Sequence, residues 1–274
     1  ANRAFAELGR AASLGGQVAV AVACARWLAP REGGATAAAE LLDHVVALHA
    51  AGSPRVDVTA RPRPPGSAPA VLPPLGADPA DELGNAREAI ARAATAAIGR
   101  APGSYAPTPL VSSLPPAELR ELLAVVRQRV AAAGEVGIET GAPARSLFWI
   151  ARGAVRVTRG EHMLGELHAG AFFGEIALVG GTTRTATVTC TSDAWLLEIP
   201  AAELEVAAAR APRLGQLLAH HARARLLANV MRTSELFTRL APVIDLEAPC
   251  ELGPAAATRL ALLTNNLMDP PSVH

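Results

Sequence analysis

Between residues 128 and 199, short runs rich in β-branched and aromatic residues are cut repeatedly by glycine, a pattern that constrains the fold more than any other feature of the sequence. Residues 128–132, 135–140, 146–151, 155–159 and 162–167 read as strands, with Gly134, Gly141, Gly153 and Gly160 at the turns, where glycine supplies backbone angles that other residues resist. After a break at Phe173-Gly174, residues 185–191 alternate Thr, Ala, Thr, Val, Thr, Cys, Thr and are suited to pair with 194–199. Strands this short are stable only as part of a larger sheet with a buried face. Their number and spacing predict an antiparallel, jelly-roll-like β-roll.

Helices flank this core. Residues 201–209 and an amphipathic segment over 214–231, with Leu217, Leu218, Leu226, Leu227 and Val230, follow it. Pro115-Pro116 and Ala-Glu-Leu-Arg-Glu-Leu-Leu open a helix before it. At the N-terminus residues 1–51 favour helix: Ala4, Phe5, Leu8, Ala11 and Leu14 share one face, while Leu41, Val45 and Leu48 share another beyond Pro30 and Gly33-Gly34. The class is α+β, with an α-helical N-terminal region ahead of the roll. The expected organisation is a helical hairpin region over 1–52, a Pro-rich linker over 53–80, a helix over 81–101, the β-roll domain over 106–232, and a tail over 233–274. In the tail, Leu236, Leu240 and Pro242 echo Leu110, Leu114 and Pro116, as if a second, incomplete copy of the domain began there.

Several function classes are disfavoured. Lys+Arg number 25 against 25 Asp+Glu, for a net charge of +0, and no basic block offers the clustered cations that long nucleic acid requires. Cys24, Cys190 and Cys250 have no ligand spacing and read as small buried hydrophobes. The apolar stretch over 14–28 is shorter than the ~20 residues a spanning helix needs and carries Gln17 and Arg26, so a core helix is expected there and no membrane span. Its Ala-Val-Ala-Cys-Ala end looks like a signal-peptide cleavage region, but no distinct basic segment precedes it. Ser112, Ser113 and Ser146 lack a base partner, and His162, His168 and Glu175 lack the close histidine pair of a metal site, so neither catalysis nor metal binding is expected.

One run carries chemistry: Phe172-Phe173-Gly174-Glu175-Ile176-Ala177-Leu178-Val179-Gly180-Gly181-Thr182-Thr183-Arg184-Thr185-Ala186-Thr187. Glycine followed by a short helical turn leaves backbone N–H groups that can surround a phosphate. Arg184, returning after a Gly-Gly-Thr-Thr loop, can neutralise the anion, and Glu175 can accept from a sugar hydroxyl. Together they describe a pocket for one phosphorylated sugar.

This run resembles the phosphate-binding cassette of the cyclic nucleotide-binding domain family, as found in catabolite activators and protein kinase regulatory subunits. The resemblance extends to Gly141, Leu147-Phe148-Trp149-Ile150, Gly153-Ala154-Val155-Arg156-Val157, Leu164-Gly165-Glu166-Leu167 and Trp195-Leu196-Leu197-Glu198-Ile199-Pro200, covering about 108–232. It implies a ligand site of Gly174, Glu175, Ile176, Ala177, Arg184, Thr185 and Ala186. In that site Glu175 accepts the ribose 2′-hydroxyl, Arg184 pairs with the cyclic phosphate, and backbone amides of 174–177 and 186 face the ligand. Thr183 stands where the family commonly has proline. The family covers the base with a residue of its last helix, for which His220, His221, Arg223 and Arg225 are the candidates.

The resemblance implies a cytoplasmic regulatory protein that binds cAMP or cGMP as its ligand, needs no cofactor and has no catalytic activity. Protein partners would engage the N-terminal helices or the last helix, with homodimerisation open, and neither nucleic acid nor membrane is a partner. Two alternatives stand beside it: a nucleotide-free scaffold that binds proteins, and a catabolite-activator-like transcription regulator, disfavoured by neutral charge and the lack of a recognition helix.

Overall fold

The structure, a computed structural model, describes residues 2–60, 103–180 and 183–233, the stretch 230–233 for its backbone only. Three helices lead: α1 (Asn2–Leu14), α2 (Val18–Leu28) and α3 (Ala35–His49). A 3-10 turn (Val111–Ser113) and α4 (Pro116–Ala124) precede eight strands: β1 (Arg127–Ala131), β2 (Val136–Ile138), β3 (Ser146–Arg152), β4 (Ala154–Arg159), β5 (His162–His168), β6 (Phe172–Phe173), β7 (Thr187–Cys190) and β8 (Ala194–Pro200). Between β6 and β7 lies the short α5 (Glu175–Gly180), and α6 (Ala201–Arg210) and α7 (Pro212–Thr233) follow β8.

The strands form two antiparallel sheets, ordered β1-β8-β3-β6 and β2-β7-β4-β5. This is the predicted β-roll with flanking helices. β3 shows why its residues are apolar almost without interruption. Phe148 and Ile150 enter the core between the sheets with Val155, Phe173, Val188, Cys190 and Leu196. Leu147, Trp149 and Ala151, on the opposite face of the pleat, join a second core with Phe172, Leu197, Ile199 and the helices. The Trp149 indole N–H donates to the Gly170 carbonyl at 3.2 Å, so its one polar atom is paired inside that core.

The N-terminal helices supply the far side of this second core. Nine of the eleven residues of α2 are buried, all of them small or aliphatic, and the helix packs on β1, β3 and β8. A helix that is apolar on every side belongs in a core or a membrane. At 1.5 Å per residue this one is about 16 Å long, half of a ~30 Å hydrocarbon layer. No helix among the described residues is long and apolar enough to cross a membrane.

The expected N-terminal hairpin is replaced by three helices. The continuous Ala-rich composition hides a stop at Gly15-Gly16, where Gly16 takes φ +77° and the Gln17 N–H bonds back to the Ala12 carbonyl at 2.8 Å. Residues 53–60, expected to begin a linker, are tied to the fold: Asp57 N–H donates to the Tyr105 carbonyl at 2.9 Å and Tyr105 N–H to the Arg55 carbonyl at 2.6 Å. The rest of that linker, the helix expected over 81–101 and the echo of a second domain lie outside the described residues. Residues 1–230 form one unit, and Met231–His274 a second of which only the end of α7 is described.

Candidate functional site

The chain crosses from one sheet to the other between β6 and β7, and every predicted site residue lies on this crossover. Gly174 ends β6 with φ +94°, where a side chain is strained, and a Cβ there would meet Arg184 Nη1 at 2.8 Å and the Ser146 carbonyl oxygen at 3.1 Å. Glycine is therefore required twice, for the turn and for the close approach of Arg184. Glu175 opens α5 and is 4% exposed, Ile176 is half-buried and Ala177 buried.

Arg184 is 6% exposed. Its Nη1 donates to the Gly174 carbonyl at 2.8 Å and its Nη2 to the Ser146 carbonyl at 2.5 Å. Among the described residues no carboxylate forms an ion pair with it. Burial pushes its guanidinium below the ordinary arginine value, and the nearby charge of Glu175 opposes that shift. The backbone of Arg184 is held as well: its N–H donates to the Ala142 carbonyl at 2.8 Å, and Gly141 N–H donates to its carbonyl at 2.9 Å. Thr185 and Ala186 follow as a half-buried bend before β7 begins at Thr187, so the strand expected from residue 185 starts two residues late.

From α7, Arg225 Nη1 approaches Glu175 Oε1 at 2.9 Å and also donates to the Phe172 carbonyl. Glu175 Oε1 nevertheless has no aligned hydrogen-bond donor. The contact with Arg225 is thus one of charge, and this buried oxygen retains its capacity to accept a hydrogen bond. Of the four α7 candidates, His220 and Arg223 are exposed and His221 is half-buried, while Arg225 is the one with a contact to a site residue. The periodicity of the helix could not separate them. Two other contributors, Ser146 and Arg159, carry no sequence signal for this role: one holds Arg184 through a backbone carbonyl and the other holds Thr185. A cleft of about 470 Å³ lined by Ser53, Ser112, Ser113, Arg213 and Leu217 lies elsewhere, and none of the predicted site residues lines it.

The crossover of the β-roll thus sets a buried arginine and a buried glutamate around a glycine turn. Residues 128–210 match the family model of the cyclic nucleotide-binding domain. A cyclic nucleotide-gated potassium channel of Rhizobium etli is 34% identical over 113 residues, which are 41% of this chain and 32% of the channel. A cAMP-dependent protein kinase regulatory subunit of Hypocrea atroviridis is 34% identical over 85 residues, 31% of this chain and 18% of the subunit. The chain thus spans about a third or less of the length of these relatives. Among solved structures, the regulatory domain of Toxoplasma gondii PKA with cAMP is similar at 17% identity and a TM-score of 0.36, over 39% of this chain and 42% of that one.

Proposed function

We propose that this chain is a regulatory protein that binds a cyclic nucleoside monophosphate, cAMP or cGMP, at the crossover and has no catalytic centre of its own. The observation that carries the reading is Arg184, a buried cation whose hydrogen bonds, among the described residues, go only to backbone carbonyls. Beside it stands Glu175, with a buried carboxylate oxygen open to a donor. A cyclic phosphodiester has one negative charge and would supply the anion that Arg184 lacks, while the ribose 2′-hydroxyl would donate to Glu175. The N–H groups at 174–177 and at Ala186 would complete the phosphate cradle, with Thr185 beside it. Arg225 links Glu175 to α7, so occupancy of the site would bias the position of that helix as far as the ligand binds the two states differently. The free thiols of Cys24 and Cys190 fit a reducing compartment such as the cytoplasm.

Calorimetric titration of cAMP and cGMP into the whole chain tests this. The wild type binds one of them, and Arg184→Ala loses ~30-fold to several thousand-fold in affinity, the equivalent of ~2–5 kcal/mol for stripping one partner from a buried charge pair. Arg184→Lys keeps the charge without the fork and falls between. Absence of heat with either nucleotide at millimolar concentration would sink the reading and leave a protein-binding scaffold in its place.

A further inference from the structure

Arg159, the last residue of β4, has no part in the ligand site that the resemblance implies, yet it touches that site's backbone. Its Nε donates to the Thr185 carbonyl at 3.2 Å. Its side chain is half-buried, and among the described residues it has no carboxylate partner. The contact falls between two fixed points. Arg184 is bonded on both sides of its backbone to Gly141 and Ala142, while Thr187 enters the sheet opposite Thr158 and its hydroxyl meets Thr140 Oγ1 at 2.9 Å. Thr185 and Ala186 are the two residues between these anchors that no sheet ladder holds.

In a planar trans peptide the carbonyl and the following N–H point in opposite directions. All described peptides here are trans, so a guanidinium that holds the Thr185 oxygen also sets the Ala186 N–H, directed away from Arg159. That N–H has no acceptor among the described residues and lies two positions from Arg184. A charge-assisted bond to the carbonyl further polarises the peptide and makes its N–H a better donor.

We infer that Arg159 is a positioning residue of the nucleotide site, which turns the Ala186 N–H toward the phosphate held by Arg184. The inference rests on the nucleotide-binding reading. It assigns Arg159 no contact with the ligand; its effect passes through one peptide plane.

The test titrates the whole chain and its Arg159→Ala and Arg159→Lys variants with cAMP, cGMP and the Rp and Sp phosphorothioate isomers of whichever nucleotide binds. The Ala186 amide resonance is followed in the same samples. Losing one oriented hydrogen bond to a charged group predicts a drop in affinity of about tenfold for Arg159→Ala. The Rp/Sp ratio should narrow, because a mobile amide no longer favours one exocyclic oxygen, and the nucleotide-induced shift of Ala186 should shrink. Lysine can reach the same carbonyl with one donor and should restore part of each. Unchanged affinity in Arg159→Ala would overturn the inference and leave the nucleotide reading standing. So would weaker binding with the Rp/Sp ratio and the Ala186 shift intact, which is the mark of general loosening. A wild type that binds neither nucleotide would end both.

Discussion

Arg184 and Glu175 show what residue-scale burial demands. A charge withdrawn from water is tolerated when it is hydrogen-bonded or paired, and each of these is only partly provided for within the chain: Arg184 by carbonyls, Glu175 by a charge contact from Arg225. His49 is the opposite case, a titratable group kept neutral. It is 1% exposed, its Nε2 lies 2.9 Å from the Ser13 carbonyl oxygen, and its ring rests on Tyr105 with centroids 4.6 Å apart. The carbonyl can only accept, so Nε2 carries the proton of the neutral ring. Burial lowers its pKa to about 4, helped by the charge of His44 and opposed by the bond to Ser13. The folded value lies below the unfolded one, so between the two the unfolded chain binds more protons. Stability from this residue is complete above about pH 6.5 and is lost as the pH falls toward 4, by about 3 kcal/mol in all. Chemical denaturation of wild type and His49→Asn from pH 7.5 to 4 should show a flatter profile for the variant. Parallel profiles would mean that His49 is protonated without penalty.

At the scale of elements, the start of α7 is tied to α4 by a carboxylate as well as by their shared apolar core. Pro212 opens α7 where its missing N–H costs nothing, and the next two N–H groups, of Arg213 and Leu214, donate to Glu118 Oε2 of α4 at 3.0 and 3.3 Å. A carboxylate there gives the Arg213 N–H its acceptor, shares the Leu214 N–H with the Ala211 carbonyl, which it reaches at 3.0 Å, and faces the positive end of the helix dipole. Glu118→Ala should therefore cost about 1 kcal/mol and speed amide exchange at Arg213, and less so at Leu214, which keeps its bond to the Ala211 carbonyl. Unchanged exchange at those two amides would show that water caps the helix equally well. Elements differ in how far the sequence discloses them. The strands were legible because alternation and glycine turns are local signals, and the cassette because its glycine, glutamate and arginine all fall on one crossover. β6, two residues long, is not legible because Phe172 and Phe173 are too few to show a period, and the sequence marks only a break at Phe173-Gly174. The bend at Thr185 and Ala186 looks like strand in the sequence because its Thr/Ala alternation continues that of β7; the contacts that hold it, from Arg159 to Thr185 and from residues 141–142 to the preceding Arg184, come from distant parts of the chain. Arg225 could not be chosen among its neighbours for the same reason: its partners Glu175 and Phe172 are some fifty positions away.

For the unit as a whole, the consequence of the two-core arrangement is that the roll does not carry its own outer wall. Leu147, Trp149, Phe172, Leu197 and Ile199 face a core completed by α2, with Leu8 of α1 and Leu41, Val45 and Val46 of α3 behind it. Polar contacts seal the junction: Arg26 of α2 donates to the Leu123 carbonyl at the end of α4, and Ala51 N–H donates to the Leu114 carbonyl at 2.8 Å. Burial has lowered the pKa of that arginine, so it has been withdrawn from water to make the contact. The family match covers only 128–210, and a fragment cut to the roll with its own helices would look sufficient from that alone. The packing argues otherwise. Removing residues 1–60 would uncover an aromatic and aliphatic face of the kind that drives association, and each large side chain left without its neighbours forfeits about 1.5–3 kcal/mol of burial. A chain beginning at residue 103 is thus expected to aggregate or to unfold at markedly lower denaturant than the whole protein, and co-expression of residues 1–60 as a separate chain should recover part of the loss. Urea unfolding with light scattering on the three preparations decides it. A fragment as soluble and as stable as the whole chain would mean that the N-terminal helices rest on the roll without contributing to its core.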